Sequence, residues 1–321
     1  MNNILIYRLN YLGDVIMATP IVRAVRQRYP NAKVTFATAA HLEPLLKFNP
    51  HLNDIVTTDV RGLKTLKGRL AWAAVLKRGG YDCCINLTRS FSSAFYAWLA
   101  DIPVRVGFNT EGRSFLLTKS ISYNKHDFEI DCFADVAALV DVPVSDKTPE
   151  VLFDSQAQEK AAALLPYGKI CAVHAGYTHP AKTWPARNVA AVIDAIWALD
   201  HIPVLIGGKN ELAFANEIIT HCRRPPVNIV GQTSLLELAA VLQQSKLYIG
   251  VDSGPAHLAK AVGTKGIVLF GPTSPVKWGY RDNINLTGGA DCSPCYPRTC
   301  RDPWCIKKIA AQTVIERLLQ V

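Results

Sequence analysis

Three segments of the chain place charged side chains beside glycine where an apolar run ends. The first contains Asp14, the second Lys182 and the third Asp252. A carboxylate can accept a proton from a substrate hydroxyl, and a lysine or a row of backbone amides can bind phosphate. These residue types fit a site that binds an anion and moves a proton.

The third segment, Gly250-Val-Asp-Ser-Gly-Pro-Ala-His257, carries the strongest signal. It follows the apolar run Leu247–Ile249 and opens a predicted helix, so the amides of Ser253 and Gly254 would face an anion at the positive end of that helix. Asp252 and His257 would flank the same point. A helix cap alone does not need this many polar groups, so the pattern favours a binding site.

Asp14 lies in Arg8-Leu-Asn-Tyr-Leu-Gly13-Asp14, between a predicted strand and its helix. Gly13 allows an unusual backbone turn or a close approach to a ligand. Asp14 can cap the helix or act as a general base, and the residues alone are consistent with both interpretations.

Two further residues occupy similar positions in the second half. Lys182 precedes the helix that Trp184 and Pro185 open, which suits a diphosphate, although a plain loop lysine is the alternative. Glu211 follows a predicted strand and two glycines, where doubly wound domains often place an acid against a ribose. Each is therefore a candidate contact for a nucleotide.

Four cysteines lie close together near the end of the chain, and they are Cys292, Cys295, Cys300 and Cys305. They could hold Zn²⁺ or an iron–sulfur cluster, but their spacing matches neither the paired ribbon nor the ferredoxin pattern. The alternative is a set of reduced thiols that pack a loop.

These candidates need elements to position them, and the chain alternates short apolar runs with helical patterns. Predicted strands include Asn3–Tyr7, Lys33–Ala37, Ile170–His174 and Gly266–Phe270, and predicted helices include Val15–Tyr29, Val189–Leu199, Pro255–Val262 and a terminal one at Ile309–Leu319. This alternation predicts an α/β protein with parallel sheets covered by helices on both faces. A proline-containing linker near residue 145 divides it into domains 1–148 and 149–305, and beyond Gly271 the alternation stops. Such sheets bind ligands beyond their carboxyl ends, and a pair of them binds in the cleft between domains.

Composition excludes several classes of protein. The chain has 321 residues, 49% of them hydrophobic, which excludes a disordered or coiled-coil protein. It has no G-x-G fingerprint, Walker A loop, G-x-S-x-G elbow or Asp-x-Asp metal motif. No apolar run is long enough to span a membrane and the start resembles a strand, so we expect a cytoplasmic protein.

The net charge of +9 favours anionic partners. No nucleic-acid-binding motif is present, so nucleic acid is not expected. The stretch Ile55–Ala100 is enriched in basic residues, with seven against two acidic ones. Its basic residues are Arg61, Lys64, Lys67, Arg69, Lys77, Arg78 and Arg89. They form either a solvated helix face or a contact with an anionic acceptor or membrane.

The three segments together, in this order, resemble glycosyltransferase family nine, the bacterial heptosyltransferases. The matching pieces are ILIYRLNYLGDVIMATPIVRAVRQRYP, HAGYTHPAKTWPARN and LYIGVDSGPAHLAKAVGTKGIVLFGPTSP, with ADIPVRVGF and CSPCYPRTCRDPWCIKKI in support. The resemblance implies a GT-B fold: two Rossmann-like doubly wound domains facing a central cleft, the second holding the donor. The C-terminal helix 306–321 would pack back on the first, acceptor-binding domain.

The resemblance also implies an activity. The donor would be ADP-heptose and the acceptor the lipopolysaccharide inner core, reached from the cytoplasmic face of the inner membrane by peripheral contact. Transfer would invert the anomeric centre and require neither cofactor nor metal, with a structural Zn²⁺ at the cysteines as an open option. We expect a monomer.

Site roles follow from the same resemblance. Asp14 resembles the general base for the acceptor hydroxyl, and Lys182 the lysine that neutralises the donor diphosphate. The donor-binding set would be Gly13, Glu211, Asp252, Ser253, Gly254 and His257. Alternatives are a transferase of another nucleotide sugar to a surface glycan, a nucleotide-sugar epimerase, and a non-catalytic nucleotide- or glycan-binding protein.

Overall fold

The structure is a computed structural model that describes residues 1–174, 176, 180–296 and 300–320. It divides into two compact units, Met1–Leu152 and Phe153–Val321. The division falls four residues beyond the predicted boundary at 148. Each unit is an α/β domain with one parallel six-stranded sheet, as the alternating pattern predicts.

The first unit has the sheet order β3-β2-β1-β4-β5-β6. Its strands are β1 (Asn3–Tyr7), β2 (Lys33–Ala39), β3 (Asp54–Thr58), β4 (Cys83–Asn86), β5 (Val104–Phe108) and β6 (Lys119–Ile121). Its helices are α1 (Leu12–Met17), α2 (Thr19–Arg28), α3 (Leu66–Arg78), α4 (Phe91–Leu99) and α5 (Glu129–Ala138), with 3₁₀ segments at Ala40–Leu46, Gly62–Lys64 and Thr110–Leu116. The side chains of Ile4 to Tyr7 are fully buried because helices cover both faces of the central strand.

The second unit has the sheet order β12-β11-β10-β7-β8-β9, which is the same topology. Its strands are β7 (Ile170–His174), β8 (Ile202–Leu205), β9 (Val227–Asn228), β10 (Ser245–Val251), β11 (Gly266–Phe270) and β12 (Ile284–Thr287). Its helices are α6 (Ser155–Leu164), α7 (Ala186–Ala198), α8 (Leu212–His221), α9 (Leu235–Gln244), α10 (Gly254–Ala261), α11 (Pro275–Trp278), α12 (Trp304–Lys307) and α13 (Ala311–Leu318), with 3₁₀ turns at Pro180–Lys182 and Lys209–Glu211.

The helix predicted over Val15–Tyr29 is two helices, α1 and α2. Pro20 lies in the first turn of α2 and has no N–H to continue the hydrogen bonds of α1. The Thr19 hydroxyl instead donates to the Ile16 carbonyl at 2.8 Å. The break separates α1, which carries Asp14, from α2.

Two expectations about the end of the chain differ from the structure. The alternation does not stop at Gly271, because β12 pairs with β11 in parallel register, Ile267 opposite Ile284. The resemblance implies that the segment 306–321 packs on the first domain. Its apolar side chains Ile309, Val314 and Leu318 instead lie in the core of the second unit, where α13 contacts α7. No helix among the described residues is long and apolar enough to cross a membrane.

Candidate functional site

Both sheets reverse their strand order beside the central strand, and ligands bind at this point in doubly wound folds. In the first unit the reversal lies between β1 and β4, and in the second between β7 and β10. Asp14 follows β1, Lys182 follows β7, and Asp252 directly follows β10. These three candidates therefore lie beyond the carboxyl ends of central strands.

Asp14 is a buried carboxylate paired with a buried arginine. Its side chain accepts a hydrogen bond from Nη2 of Arg8, and Nη1 of Arg8 donates to the Leu87 carbonyl at 2.8 Å. Burial raises the pKa of Asp14 above its usual value, and nearby Glu129 adds to this, although the charge of Arg8 opposes it. A carboxylate with a raised pKa suits a general base near neutral pH.

The turn that holds Asp14 differs from the one predicted. Tyr11, not Gly13, has the left-handed backbone, with φ of 65°, and Gly13 lies within α1. Positive φ is costly for an aromatic residue, and such strain concentrates at functional sites. Tyr11 is the N-cap residue of α1, and its side chain makes no capping hydrogen bond. Asp14 lies in the first turn of α1, where its carboxylate pairs with Arg8.

Lys182 and Asp252 form an ion pair in the second unit. Nζ of Lys182 donates to Oδ2 of Asp252 at 2.9 Å and to its carbonyl at 3.0 Å. The Thr273 hydroxyl donates to the same Oδ2 at 2.6 Å. Burial favours the neutral acid, but Lys182, His257 and the Thr273 hydroxyl together outweigh it and hold the pKa of Asp252 below its usual value. Asp252 is therefore an ionised, oriented acceptor.

His257 lies against this pair as a neutral imidazole. Its Nε2 is 3.8 Å from Oδ1 of Asp252, and its Nδ1 is 3.0 Å from the Tyr280 hydroxyl. Burial lowers the pKa of His257 to about 4, although the carboxylate of Asp252 opposes this shift. At neutral pH it is therefore uncharged.

Glu211 and Ser253 are joined through His174, the last residue of β7. Nε2 of His174 lies 3.3 Å from Oε1 of Glu211, and Nδ1 lies 3.2 Å from the Ser253 hydroxyl. Oε2 of Glu211 accepts from the Gly208 amide at 2.6 Å. These contacts hold in place the carboxylate of Glu211, the acid predicted to contact a ribose.

The N-terminus of α10 lies beside both the Lys182–Asp252 pair and the contacts that join Glu211 to Ser253. Ser253 is the N-cap residue of α10. Its hydroxyl contacts Nδ1 of His174 and donates a hydrogen bond to the Val251 carbonyl. No side-chain cap is found at this end of α10 in the described part of the chain. Pro255 has no N–H, and the amides of Ala256 and His257 donate to the Ser253 carbonyl at 3.1 and 3.4 Å. The amides that can serve an anion at this end of α10 are therefore those predicted, Ser253 and Gly254.

The structure thus gathers Lys182, Asp252 and His257 into one cluster and links Glu211 to Ser253. Asp14, with Gly13, lies in the first unit. Sequence reasoning missed Arg8, His174 and Thr273 as members of these clusters. Arg8 and His174 had a usable signal, since each is a polar residue at the end of a buried central strand.

The structure does not support the predicted metal site at the four late cysteines. Among the described residues, no three His, Cys, Asp or Glu side chains are placed to hold a metal ion. Cys292, Cys295 and Cys300 are exposed free thiols, whereas Cys305 is buried. Burial raises the pKa of both Cys295 and Cys305, which favours the protonated thiol.

Residues 69–305 match the family model described as glycosyltransferase family 9 (heptosyltransferase). Among curated proteins, the chain is 27% identical over 289 residues to lipopolysaccharide heptosyltransferase 3 of Escherichia coli, covering 84% of each. Among solved structures, a glycosyl transferase family 9 protein of Veillonella parvula superposes with a TM-score of 0.87 at 20% identity, over 99% of this chain and 96% of that one. ADP-heptose lps heptosyltransferase II of E. coli gives 0.79 at 22% identity, over 100% and 98%.

These structural matches establish the fold, and the family match extends over most of the chain. The two units are the Rossmann-like domains of a GT-B fold. The chain belongs to glycosyltransferase family 9 and is a glycosyltransferase.

Proposed function

We propose that this enzyme transfers heptose from ADP-heptose to the inner core of lipopolysaccharide, with inversion at the anomeric carbon. The observation that carries the proposal is the Lys182–Asp252 pair beside the N-terminus of α10. A cation, a fixed carboxylate and the amides of Ser253 and Gly254 at a helix N-terminus suit a sugar linked to a diphosphate. The names of the related proteins supply the sugar and the acceptor class.

In the proposed mechanism, Asp14 removes the proton from the acceptor hydroxyl. The oxygen attacks the anomeric carbon from the face opposite the diphosphate, and the bond to the diphosphate breaks with its electron pair on ADP. Arg8 holds the Asp14 carboxylate in place, and the proton then passes to solvent. The raised pKa of Asp14 makes it a stronger base than an exposed aspartate.

Lys182 and the α10 amides would stabilise the charge that develops on the leaving diphosphate. The lysine ammonium has three N–H groups, and Asp252 accepts two of them in the described structure. The third would donate to a phosphate oxygen. Asp252 would accept hydrogen bonds from sugar hydroxyls, Glu211 from the ribose, and Gly13 and His257 would line the site.

No metal enters the proposed mechanism. The enzyme would act at the cytoplasmic face of the inner membrane as a monomer in peripheral contact with it.

The test is an assay of ADP-heptose against a panel of truncated lipopolysaccharide acceptors, with ADP release and the anomeric configuration of the product measured. We expect ADP release only with a matching acceptor, and an inverted product. Conversion of the donor without an acceptor would instead identify an epimerase. Turnover of a different nucleotide sugar would reassign the donor, and donor binding without any product would identify a binding protein.

A further inference from the structure

The first unit exposes a row of aromatic rings that the proposed reaction does not use. We call it the aromatic ladder, and it consists of Phe115, Phe91, Phe95 and Trp98. Successive ring centroids are 6.2, 6.2 and 5.8 Å apart. The exposed fractions are 75% for Phe115, 47% for Trp98 and 39% for Phe91. A contiguous exposed aromatic surface of this kind marks an interaction site.

Helix α4 and buried side chains beneath it hold the rings of the aromatic ladder in place. Phe91, Phe95 and Trp98 share one face of α4, at helical spacings of four and three. The 3₁₀ segment Thr110–Leu116 presents Phe115 beside them, with Leu116 buried against Ala94. The exposed rings are therefore fixed in relation to one another.

Arg113 fastens that segment to α4. The fully buried guanidinium donates to the Ser90 carbonyl at 2.7 Å, to the Ser93 hydroxyl at 2.8 Å and to the Phe108 carbonyl at 2.7 Å. Glu111 of the same segment accepts from the Phe91 amide at 2.6 Å. The buried guanidinium of Arg113 holds an exposed aromatic turn in place, which indicates that the shape of this surface matters.

The charges beside the aromatic ladder indicate what kind of partner it binds. Helix α4 has no charged residue, and the neighbouring helix α3 has four cations and no acidic residue. The two helices pack together through Trp72 and Leu76 of α3 against Tyr96 and Ala97 of α4. Helix α3 also exposes Leu66 at 72%. Lys77 of α3 pairs with Asp101, so the net positive charge of this surface comes mainly from the other α3 cations. Apolar and aromatic groups beside such cations match the interface of an anionic bilayer.

We propose that the aromatic ladder and the cations of α3 dock the first unit on a bilayer containing anionic phospholipid. The choice of a bilayer rests on the proposed function, because its acceptor is a glycolipid. The rings enter the headgroup region, while the cations remain at the phosphates. Docking in this way brings the acceptor-binding unit to the membrane that carries its substrate.

The test is co-sedimentation of the full chain with two kinds of vesicle, phosphatidylcholine alone and an equal mixture of phosphatidylethanolamine and phosphatidylglycerol. We expect binding to the anionic vesicles, and a loss of at least about tenfold in the variant that combines Trp98→Gln with Phe115→Ser. Tyr167→Ser, at a fully exposed tyrosine of the second unit, is the matched control and should bind as the parent does. Unchanged binding of the double variant would overturn the proposal.

Charge is tested separately. Lys67→Glu with Arg78→Glu should weaken binding to anionic vesicles by about fivefold or more per cation and leave any binding to phosphatidylcholine unchanged. Lys169→Glu in the second unit is the control. Equal binding of the parent to both vesicles would contradict the role of charge. A dimer in solution that Phe115→Ser dissociates would assign the ladder to a second copy instead.

Transfer to a deacylated, water-soluble acceptor separates this proposal from the proposed function. The ladder variants should transfer to it at the parental rate while losing vesicle binding. If the parent transfers no heptose, the proposed function fails, but vesicle binding still decides the docking surface.

Discussion

Nζ of Lys182 lies 2.9 Å from Oδ2 of Asp252, although the two residues are 70 positions apart in the chain. The pair joins the turn after β7 to the carboxyl end of β10, on the two sides of the point where the strand order reverses. Asp252 is 4% exposed, so removing the lysine leaves a buried carboxylate without its counter-charge. The proposed donor site and the folding of the second unit therefore share this contact.

Lys182→Met should weaken donor binding by about tenfold or more and lower the turnover number as well, because one cation serves both the bound diphosphate and the developing charge. The variant should also unfold at a lower temperature, since Asp252 loses its partner. Lys246→Met, at an exposed lysine of β10, is the matched control. Calorimetric titration with ADP and steady-state kinetics measure the two effects, and parental values for both would remove Lys182 from the site.

Thr273→Val should lower kcat/KM by about tenfold or more, since it deletes a 2.6 Å hydrogen bond to a charged group while keeping the side-chain volume. Thr273→Ser keeps the hydroxyl and should restore most of the activity. A purely structural role predicts that the loss follows the unfolding temperature. Equal activity of the two variants would show that the hydroxyl does not position Asp252.

Asp14→Asn should lower the turnover number by about a hundredfold or more and leave the dissociation constant of ADP near its parental value, because a general base acts only in the chemical step. Glu43→Gln, at an exposed acid of the same unit, should change neither quantity. Normal turnover by purified Asp14→Asn would show that another group accepts the proton.

The pH profile tests the same residue in a different way. Asp14 must be ionised to act, so kcat/KM should fall as the pH drops through its raised pKa, above the ordinary aspartate value of about 3.9. Arg8→Lys keeps the charge but loses the second donor to Leu87, and Arg8→Gln removes the charge that lowers this pKa. The acidic limb should therefore move to higher pH, further in Arg8→Gln than in Arg8→Lys. A limb at the same pH in all three proteins would exclude Asp14 as its source.

Local sequence patterns predicted the strand ends and the residues that immediately follow them. The predicted strands Asn3–Tyr7, Ile170–His174 and Gly266–Phe270 agree with the structure to the residue. Asp252 and Ser253 could be placed because they lie next to a buried strand. Their hydrogen-bond partners could not, since Thr273 and His174 reach them from 21 and 79 positions away.

Other features depended on tertiary context. Strand β12 is an edge strand whose residues are only half-buried, so its apolar pattern is weak. Val15–Tyr29 divides into two helices because Pro20 has no N–H to continue the α1 hydrogen bonds, and apolar spacing alone does not show such a break. The core position of α13 follows from Val314 and Leu318, and an amphipathic pattern alone does not say which unit it covers.

His257→Gln should change the pH dependence of stability. Burial lowers the pKa of His257 to about 4 in the folded protein, against about 6.5 when unfolded. Between these values the unfolded chain binds a proton that the folded one does not, so stability falls as the pH drops from about 6.5 to about 4. The difference corresponds to a free energy of unfolding on the order of 3 kcal/mol. The variant lacks this titration, so its stability should fall less over the same range, as measured by urea unfolding at several pH values. Parallel curves for the two proteins would mean that His257 is protonated in the folded state and charge-paired with Asp252.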